Sequence, residues 1–242
     1  MPLRTAANVV AASTPPQTRI YAVGDIHGRA DLLSDTVARI EDDLFRRPVE
    51  QAAEIYLGDY VDRGPESKRV IDILAARMVH RRVVCLRGNH EDMLERFLHN
   101  PDAFGPWLKL GAMPTLISYG VSSTSEATRA DDLHRQFQRV FPRAHGLFLK
   151  CLQPWICCGD YLFVHAGIRP LLPLDRQSLA DLLWIRDDFL KSPHDHGKVI
   201  IHGHTPVPCP DVRHNRINID TGAWHSGNLT CLVLEDTSVQ FL

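Results

Sequence analysis

Residues 19–28 have the sequence RIYAVGDIHG, in which a short apolar run passes directly into a polar loop with two glycines. The run at 19–23 predicts a strand. The apolar residues after the loop recur at spacings of 4, 3 and 4, which is typical of one face of a helix. Those helical positions are Leu33, Val37, Ile40 and Leu44. A strand, a loop and a helix in this order predict half of a βαβ unit.

The same arrangement continues along the chain. An apolar run at 55–57 ends at Gly58, a helical pattern follows Pro65, and a third apolar run at 83–86 leads into Gly88. Alternating strands and helices of this kind predict a parallel sheet in an α/β fold. Functional loops in such sheets lie at the carboxyl ends of the strands, and all three polar loops are expected there.

The rest of the chain is predicted to be helical in the middle and rich in strands towards the end. Residues from about 92 to 150 have helical periodicity and are predicted to form a helical insertion over the sheet edge. A Gly-Asp pair between two apolar runs predicts a hairpin, and one helix is predicted at 179–190. The predicted hairpin strands are 155–158 and 161–164, and the later strands are 199–201, 217–219, 229–234 and 239–241.

Length and composition limit the kinds of protein that this chain can be. The chain has 242 residues, which we divide into a disordered tail at 1–18 and one domain at 19–242. Its 27 basic and 29 acidic residues give a net charge of −2, which argues against a nucleic-acid partner. It has no signal-peptide pattern and no apolar run of about 18 residues. Its six cysteines form no C-x-x-C pair, which suggests free thiols in a reducing compartment. From these features together, we expect a cytoplasmic protein without a membrane partner.

Five short polar clusters follow predicted strands, and each combines metal-ligating residue types with glycine. Glycine lets the backbone approach a ligand closely where a larger side chain would collide with it. A single cluster of this kind is usually a turn or a helix cap, but five together predict a common site. The clusters are GDIHG at 24–28, GDYVDRG at 58–64, RGNHE at 87–91, VHAG at 164–167 and HGHTP at 202–206.

The donor types in these clusters suit a pair of metal ions. Asp25 and His27 are two residues apart at a strand end, so both can face the same side, and Asp59 could supply a carboxylate to both ions. Mixed nitrogen and oxygen donors suit Mn, Fe or Zn better than Ca. Two such ions can clamp a displacement at phosphorus and lower the pKa of water to about 7, which makes a metal-bridging hydroxide the expected attacking group. The remaining candidate ligands are Asn89, His165 and His204.

Three neighbouring residues could handle the proton and the phosphate. His90 directly follows the candidate ligand Asn89, which puts it beside the metals, and Asp62 could hold its imidazole in one tautomer. A positioned acid of this kind is typically worth a factor of about 10²–10⁴ in rate. Arg63 adjoins Asp62, and its guanidinium could bind phosphate oxygens with two hydrogen bonds.

In this set and order, the five clusters resemble the motifs of the calcineurin-like metallophosphoesterase superfamily, and more narrowly those of its phosphoprotein phosphatase branch. The family motifs are D-x-H, G-D-x-V-D-R-G, G-N-H-E, H-A/G-G and a late G-H, and the resemblance covers about residues 20–235. It implies an α/β fold, a four-layer α/β/β/α sandwich with a helical insertion. It also implies two divalent metal ions, with Mn expected in vitro and Fe or Zn as alternatives.

The resemblance implies a role for each candidate residue. It assigns one metal to Asp25, His27 and Asp59, and it assigns a second metal to a site that shares Asp59. His90 and Asp62 are expected to be the proton-donor pair. The second metal site is completed by Asn89, His165 and His204, and the groups expected to bind the substrate phosphate are Asn89, Arg63 and Arg186.

The last motif separates subgroups of the superfamily. Nucleases and many phosphodiesterases in it end with G-H-x-H, whereas Pro206 takes the place of the final histidine here. This difference favours the phosphatase branch, so the resemblance predicts a serine/threonine protein phosphatase that hydrolyses phosphomonoesters. The branch also resembles symmetrical diadenosine tetraphosphate hydrolases, which share most motifs and are the alternative. The expected partner is a phosphorylated protein or a small phosphorylated substrate, and the oligomeric state is left open.

Overall fold

A computed structural model describes residues 12–121 and 129–242, in which two five-stranded sheets pack face to face with helices on both outer sides. This is the predicted four-layer α/β/β/α fold. The first sheet has the strand order β10-β9-β1-β2-β3, with β1, β2 and β3 parallel and β9 and β10 in antiparallel pairs. Its strands are β1 (Thr18–Val23), β2 (Gln51–Tyr56), β3 (Val83–Cys85), β9 (Cys231–Glu235) and β10 (Ser238–Phe241).

The second sheet has the strand order β4-β5-β6-β8-β7. Its first two strands form the predicted antiparallel hairpin, and β5, β6 and β8 are parallel. The two-residue strand β7 was not predicted, and it pairs antiparallel with β8 at the far edge. The strands are β4 (Trp155–Cys158), β5 (Tyr161–Val164), β6 (Val199–His202), β7 (Asp211–Val212) and β8 (Arg216–Asn218).

The helices form the two outer layers. Helices α1 to α7 share one buried apolar cluster with the outer face of the first sheet, and α8 and α9 pack on the outer face of the second sheet. None of the helices in the described ranges is long and apolar enough to cross a membrane. The helices are α1 (Ala30–Arg46), α2 (Ser67–His80), α3 (Asn89–His99), α4 (Phe104–Leu108), α5 (Met113–Ser118), α6 (Ala130–Val140), α7 (Arg143–Cys151), α8 (Leu179–Trp184), α9 (Asp187–Leu190) and α10 (Ala223–Ser226).

Strand β1 shows why the sequence gives two apolar layers. Side chains alternate along a strand, so Ile20 and Ala22 enter the core between the sheets, while Tyr21 and Val23 enter the cluster under the helices. All four side chains are fully buried, and each large apolar side chain contributes about 1.5–3 kcal/mol on burial. A strand that is covered on both faces has no polar alternation, which is why 19–23 is almost wholly apolar.

Residues 12–18 differ from the expected disordered tail. The amide of Thr14 donates to the carbonyl of Asp236 at 2.9 Å, and the carboxylate of Asp160 accepts bonds from the amide and hydroxyl of Ser13. These residues are ordered because they form hydrogen bonds with the turn between β4 and β5 and the turn between β9 and β10. Both turns lie far away in the sequence. Residues 1–11 and 122–128 lie outside the described ranges.

The single helix predicted at 179–190 is wrong, because the structure has two short helices, α8 and α9, with a break between them. Ile185 adopts an extended conformation with φ −59° and ψ 142°, and its side chain is buried in the outer cluster of the second sheet. Arg186 then turns the chain with φ −131° and ψ −102° before α9 begins. The break lets Ile185 pack on the sheet while Arg186 remains exposed beside it.

Candidate metal centre

The five polar clusters meet at one edge of the molecule, where strands of both sheets end. One group of buried donors comprises His27, Asp59 and His90. In it, Asp59 Oδ2 lies 3.4 Å from His27 Nε2 and 3.7 Å from His90 Nε2. His27 and Asp59 lie in the loops after β1 and β2, and His90 lies in the first turn of α3, which follows β3. The three strands are neighbours and parallel, so the fold itself brings these residues together.

A second group of buried donors comprises Asp59, His165 and His204, and Asn89 lies against it. Asp59 Oδ1 is 3.4 Å from His165 Nε2, while Asn89 Oδ1 is 2.9 Å from both His165 Nε2 and His204 Nδ1. The two oxygens of Asp59 therefore face different groups, Oδ2 the first and Oδ1 the second. This is the geometry of a carboxylate that can bridge two cations.

Asp25 lies beside these groups and belongs to neither compact triplet. Its Oδ2 accepts a bond from the backbone amide of His204 at 3.0 Å, which connects the two sheets at the site. Its Oδ1 is buried and has no hydrogen-bond partner within residues 12–121 and 129–242, and the same holds for Nε2 of His204. A side chain at Gly203 would collide with Asp25 Oδ1, so only glycine fits there. A buried carboxylate oxygen normally has a partner, and a cation would provide one for Asp25 Oδ1.

The electrostatics also fit a cation. Burial, and then the charges of Asp220 and Asp59, raise the pKa of Asp25 well above its usual range. Burial raises the pKa of Asp220 to about 6. Buried carboxylates crowded together are stabilised by a bound metal, which is the largest local charge in such a site.

Three of the histidines are oriented to act as ligands, and burial favours their neutral form. Burial lowers the pKa of His27 and His165, and burial followed by the charge of His165 lowers that of His204 to about 2. Nδ1 of His27 donates to the carbonyl of Val61, and Nδ1 of His165 donates to that of Leu57, both at 2.9 Å. These bonds fix the tautomers and leave each Nε2 lone pair facing Asp59. The residues present therefore fit a pair of divalent ions.

His90 is held by a buried network around Asp62. His90 Nδ1 lies 2.6 Å from Asp62 Oδ2, and the same carboxylate accepts bonds from Trp107 Nε1 at 2.7 Å and Thr115 Oγ1 at 2.6 Å. Burial lowers the pKa of His90, but the charge of Asp59 and the bond to Asp62 outweigh it, so the net shift is upward. Sequence analysis did not identify Trp107 and Thr115, which come from α4 and α5.

The two candidate arginines lie at different depths. Arg63 is half-buried, with its Nη1 2.9 Å from His27 Nε2 and its Nη2 3.2 Å from His90 Nε2, so it reaches the first group. Arg186 is exposed at the rim, where its Nη1 donates to the hydroxyl of Thr205, the residue after His204, at 3.3 Å. One guanidinium therefore lies inside the site and the other beside the second group.

The family model for calcineurin-like phosphoesterases matches residues 18–237. The chain belongs to this family. The phosphoesterase is therefore a hydrolase acting on phosphoric ester bonds, and its family uses divalent metal ions.

Three comparisons describe what the phosphoesterase is similar to. The asymmetrical bis(5′-nucleosyl)-tetraphosphatase PrpE of Anoxybacillus flavithermus is 28% identical over 87% of this chain and 88% of its own length. The crystal structure of a candidate diadenosine tetraphosphatase superposes with a TM-score of 0.62 at 18% identity, covering 95% of this chain and 98% of that one. The crystal structure of a cold-active protein-tyrosine phosphatase from a Shewanella species superposes with a TM-score of 0.61 at 18% identity. The match covers 95% of this chain and 83% of that one.

Backbone strain in the phosphoesterase is concentrated at this site. Eight residues other than glycine have positive φ in the described ranges, and five of them are candidate site residues. Each such conformation costs on the order of 1–3 kcal/mol and persists only where the surroundings enforce it. Strain gathered in this way is typical of functional loops. The five are His27, Asp59, Asp62, Arg63 and His204.

Glu91 enforces the strained conformation of the loop after β2, a role that the sequence analysis did not identify. Its carboxylate accepts backbone N–H bonds from Asp59, Tyr60 and Val61 at 2.8, 2.7 and 3.2 Å. It also accepts the backbone N–H bond of Gly88 at 3.0 Å and thereby caps the N-terminus of α3. One buried side chain thereby fixes both loops that carry Asp59 and Asn89.

We expect Glu91→Gln to lower the melting temperature of the phosphoesterase by about 3–10 °C. The amide group of glutamine would point donors at backbone donors, which costs about 1–3 kcal/mol, and each kcal/mol shifts the melting temperature by about 2–4 °C in a protein of this size. Calorimetry of the protein without added metal measures the change. Exposed Glu50→Gln is the control, and equal melting temperatures for the two variants would contradict the role of Glu91.

Proposed function

We propose that this phosphoesterase hydrolyses dinucleoside polyphosphates in a reaction that needs two divalent ions. The observation that carries the metal dependence is the arrangement around Asp59, whose two carboxylate oxygens face two separate groups of buried donors. One ion would be bound by Asp25, His27 and Asp59, and the other by Asp59 with Asn89, His165 and His204. Mn, Fe and Zn all suit this donor set, and we expect Mn to support activity in vitro.

The substrate class is chosen from the sequence relative. The tetraphosphatase of A. flavithermus aligns with 87% of this chain, and this full-length similarity supports a dinucleotide substrate. The structural neighbours are 18% identical, so they support the fold and not a substrate. The motifs that predicted a serine/threonine protein phosphatase are shared by both substrate classes. We therefore prefer the nucleotide substrate and keep the phosphoprotein as the alternative outcome of the test.

The residues around the metal groups would bind the phosphate and supply the proton for the leaving oxygen. When bound, two divalent ions would activate water and neutralise phosphoryl charge. The oxygen of water bonds to one phosphorus, and the bond from that phosphorus to the leaving oxygen breaks with its electron pair. Arg63 binds the phosphoryl oxygens within the site, and Arg186 binds the part of the polyphosphate that leaves over the rim. His90, oriented by Asp62, holds the proton that the leaving oxygen receives, and the proton lost by water goes to solvent.

The cellular setting follows from the same substrate. Dinucleoside polyphosphates are intracellular small molecules, and all six cysteines, which lie in the described ranges, are free thiols. Free thiols suit a reducing compartment, which supports the cytoplasm as the location. No nucleic-acid or membrane partner is needed for this activity.

Product analysis tests the proposal. Mn-loaded protein should convert diadenosine tetraphosphate to AMP and ATP, as the name of the relative implies, and anion-exchange chromatography separates both from ADP. The Asp25→Asn variant, expected to keep the fold and lose most activity, controls for contaminating phosphatases. Formation of ADP alone would indicate symmetrical cleavage. Release of phosphate from a phosphoserine peptide, without turnover of the dinucleotide, would overturn the nucleotide assignment in favour of a protein phosphatase.

A further inference from the structure

Two of the four tryptophans are half-exposed and adjoin the metal groups. Trp184 is 39% exposed and Trp224 is 42% exposed, whereas Trp107 is fully buried. A single exposed aromatic residue is common on protein surfaces. The position of these two is what distinguishes them, because each indole contacts a side chain of the candidate centre.

Trp184 lies against the second metal group. Its ring meets the ring of His204 edge to face, with centroids 6.1 Å apart and an interplanar angle of 83°. Helix α8, which ends at Trp184, is fixed in place, because Ser178 caps its first turn and the carbonyl of Leu182 accepts a bond from the amide of Ala166. Ala166 directly follows His165. The indole is therefore tied to the loop that carries a candidate ligand.

Trp224 lies against the first metal group. The guanidinium carbon of Arg63 is 5.7 Å from the centroid of the Trp224 ring, and the other end of the same guanidinium contacts His27. Helix α10 has only four residues and lies between Gly222 and Gly227, both with positive φ. It is anchored by Arg29 Nη1, which donates to the carbonyl of Ala223 at 3.0 Å. This tight, anchored turn presents the indole with little freedom to lose on binding.

We propose that Trp184 and Trp224 stack the bases of a nucleotide substrate, an inference that rests on the proposed function. The charged centre recognises phosphate, which every candidate substrate carries, whereas an indole face recognises a flat π system. One indole adjoins each metal group, which matches a substrate that has a base at both ends of a polyphosphate. Stacking without hydrogen bonds to base edges tolerates any base. Adenine and guanine dinucleotides should therefore bind similarly, while a phosphopeptide supplies no such ring in its backbone.

Kinetics of single variants test the role of the indoles. We expect Trp184→Leu and Trp224→Leu each to raise KM for diadenosine tetraphosphate about tenfold or more, the size of effect that loss of one base stack produces. That rise should exceed any change in KM for inorganic tripolyphosphate, which has no base, by about the same factor. The phenylalanine variants should recover most of the affinity. The control is Phe45→Leu, an exposed aromatic residue at the far end of α1, which should change neither KM.

Calorimetric binding separates this inference from the proposed function. Mn-loaded wild-type protein should bind AMP more tightly than inorganic phosphate. Because AMP has one base, which could stack on either indole, the double variant with Trp184→Leu and Trp224→Leu should lose most of that difference. Equal affinities for AMP and phosphate in the wild type, or a double variant that binds AMP as the wild type does, would overturn the stacking role. Absence of dinucleotide turnover in the wild type would overturn the proposed function, and the AMP titration would still decide whether the indoles bind a base.

Discussion

Asp59→Asn should lower kcat/KM by at least about 10³-fold and should abolish tight binding of both metal ions. Asp59 is 2% exposed and is the one residue common to both donor groups in the described ranges, and its two oxygens are divided between them. An amide has one good acceptor oxygen and no charge, so each ion loses part of its coordination. Metal ions supply several kcal/mol of stabilisation to a phosphoryl transition state, and each 1.36 kcal/mol is worth a factor of ten.

The substitution is informative because the fold should survive it. Asp59 has φ +53°, a left-handed conformation that asparagine adopts as readily as aspartate. The remaining amide oxygen can still accept the bond that Asp59 Oδ1 receives from the amide of His90. Circular dichroism should therefore match the wild type, while elemental analysis shows fewer than two ions per chain.

Metal addition provides a second measurement on the same pair of proteins. Saturating Mn should raise the melting temperature of the wild type by about 5–10 °C, because a ligand at 100 times its Kd adds about 2.7 kcal/mol. The Asp59→Asn variant should show little of this shift. Asp42→Asn has the same change in charge at an exposed position in the C-terminal part of α1 and should behave as the wild type. If Asp59→Asn retained two ions and full turnover, the bridging role would be wrong.

The sequence predicted most of the fold and the proximity of most candidate site residues because both depend on local patterns. A continuous apolar run predicted the strand β1, and each polar cluster directly follows a strand or lies at its end. Parallel neighbouring strands place their carboxyl ends side by side, so local motifs become a common site once the sheet is known. This is why Asp25, Asp59 and Asn89 could be brought together from the sequence alone.

The side chains that hold the site residues in position could not be predicted from the sequence, because they act through contacts between residues far apart in the chain. Asp62 is held by Trp107 and Thr115, which are 45 and 53 residues further along the chain and have no motif around them. The left-handed conformation of Asp59 also has no local signal, because four backbone N–H groups converging on Glu91 enforce it. Helical periodicity likewise continued across Ile185, where packing on the second sheet breaks the helix.

His90→Asn should reduce turnover in a way that depends on the leaving group. Because the imidazole is proposed to hold the proton that the leaving oxygen receives, its loss should cost about 10²–10⁴-fold for phenyl phosphate, whose phenolate is a poor leaving group. The loss should be at least about tenfold smaller for p-nitrophenyl phosphate, which needs little protonation. Asparagine keeps a short side chain with a donor that can reach Asp62, so the network of Asp62 with Trp107 and Thr115 is preserved.

The ratio of the two kcat/KM values separates a proton donor from a mere phosphate ligand. In the wild type, the preference for p-nitrophenyl phosphate over phenyl phosphate should be modest, and His90→Asn should increase it by at least about tenfold. Loss of a group that only binds the phosphoryl oxygens would lower both values equally, and that result would remove His90 from the role of acid. Exposed His214→Asn is the matched control and should leave the ratio unchanged. An anhydride already has a good leaving group, so a dinucleotide should depend on His90 less than phenyl phosphate does.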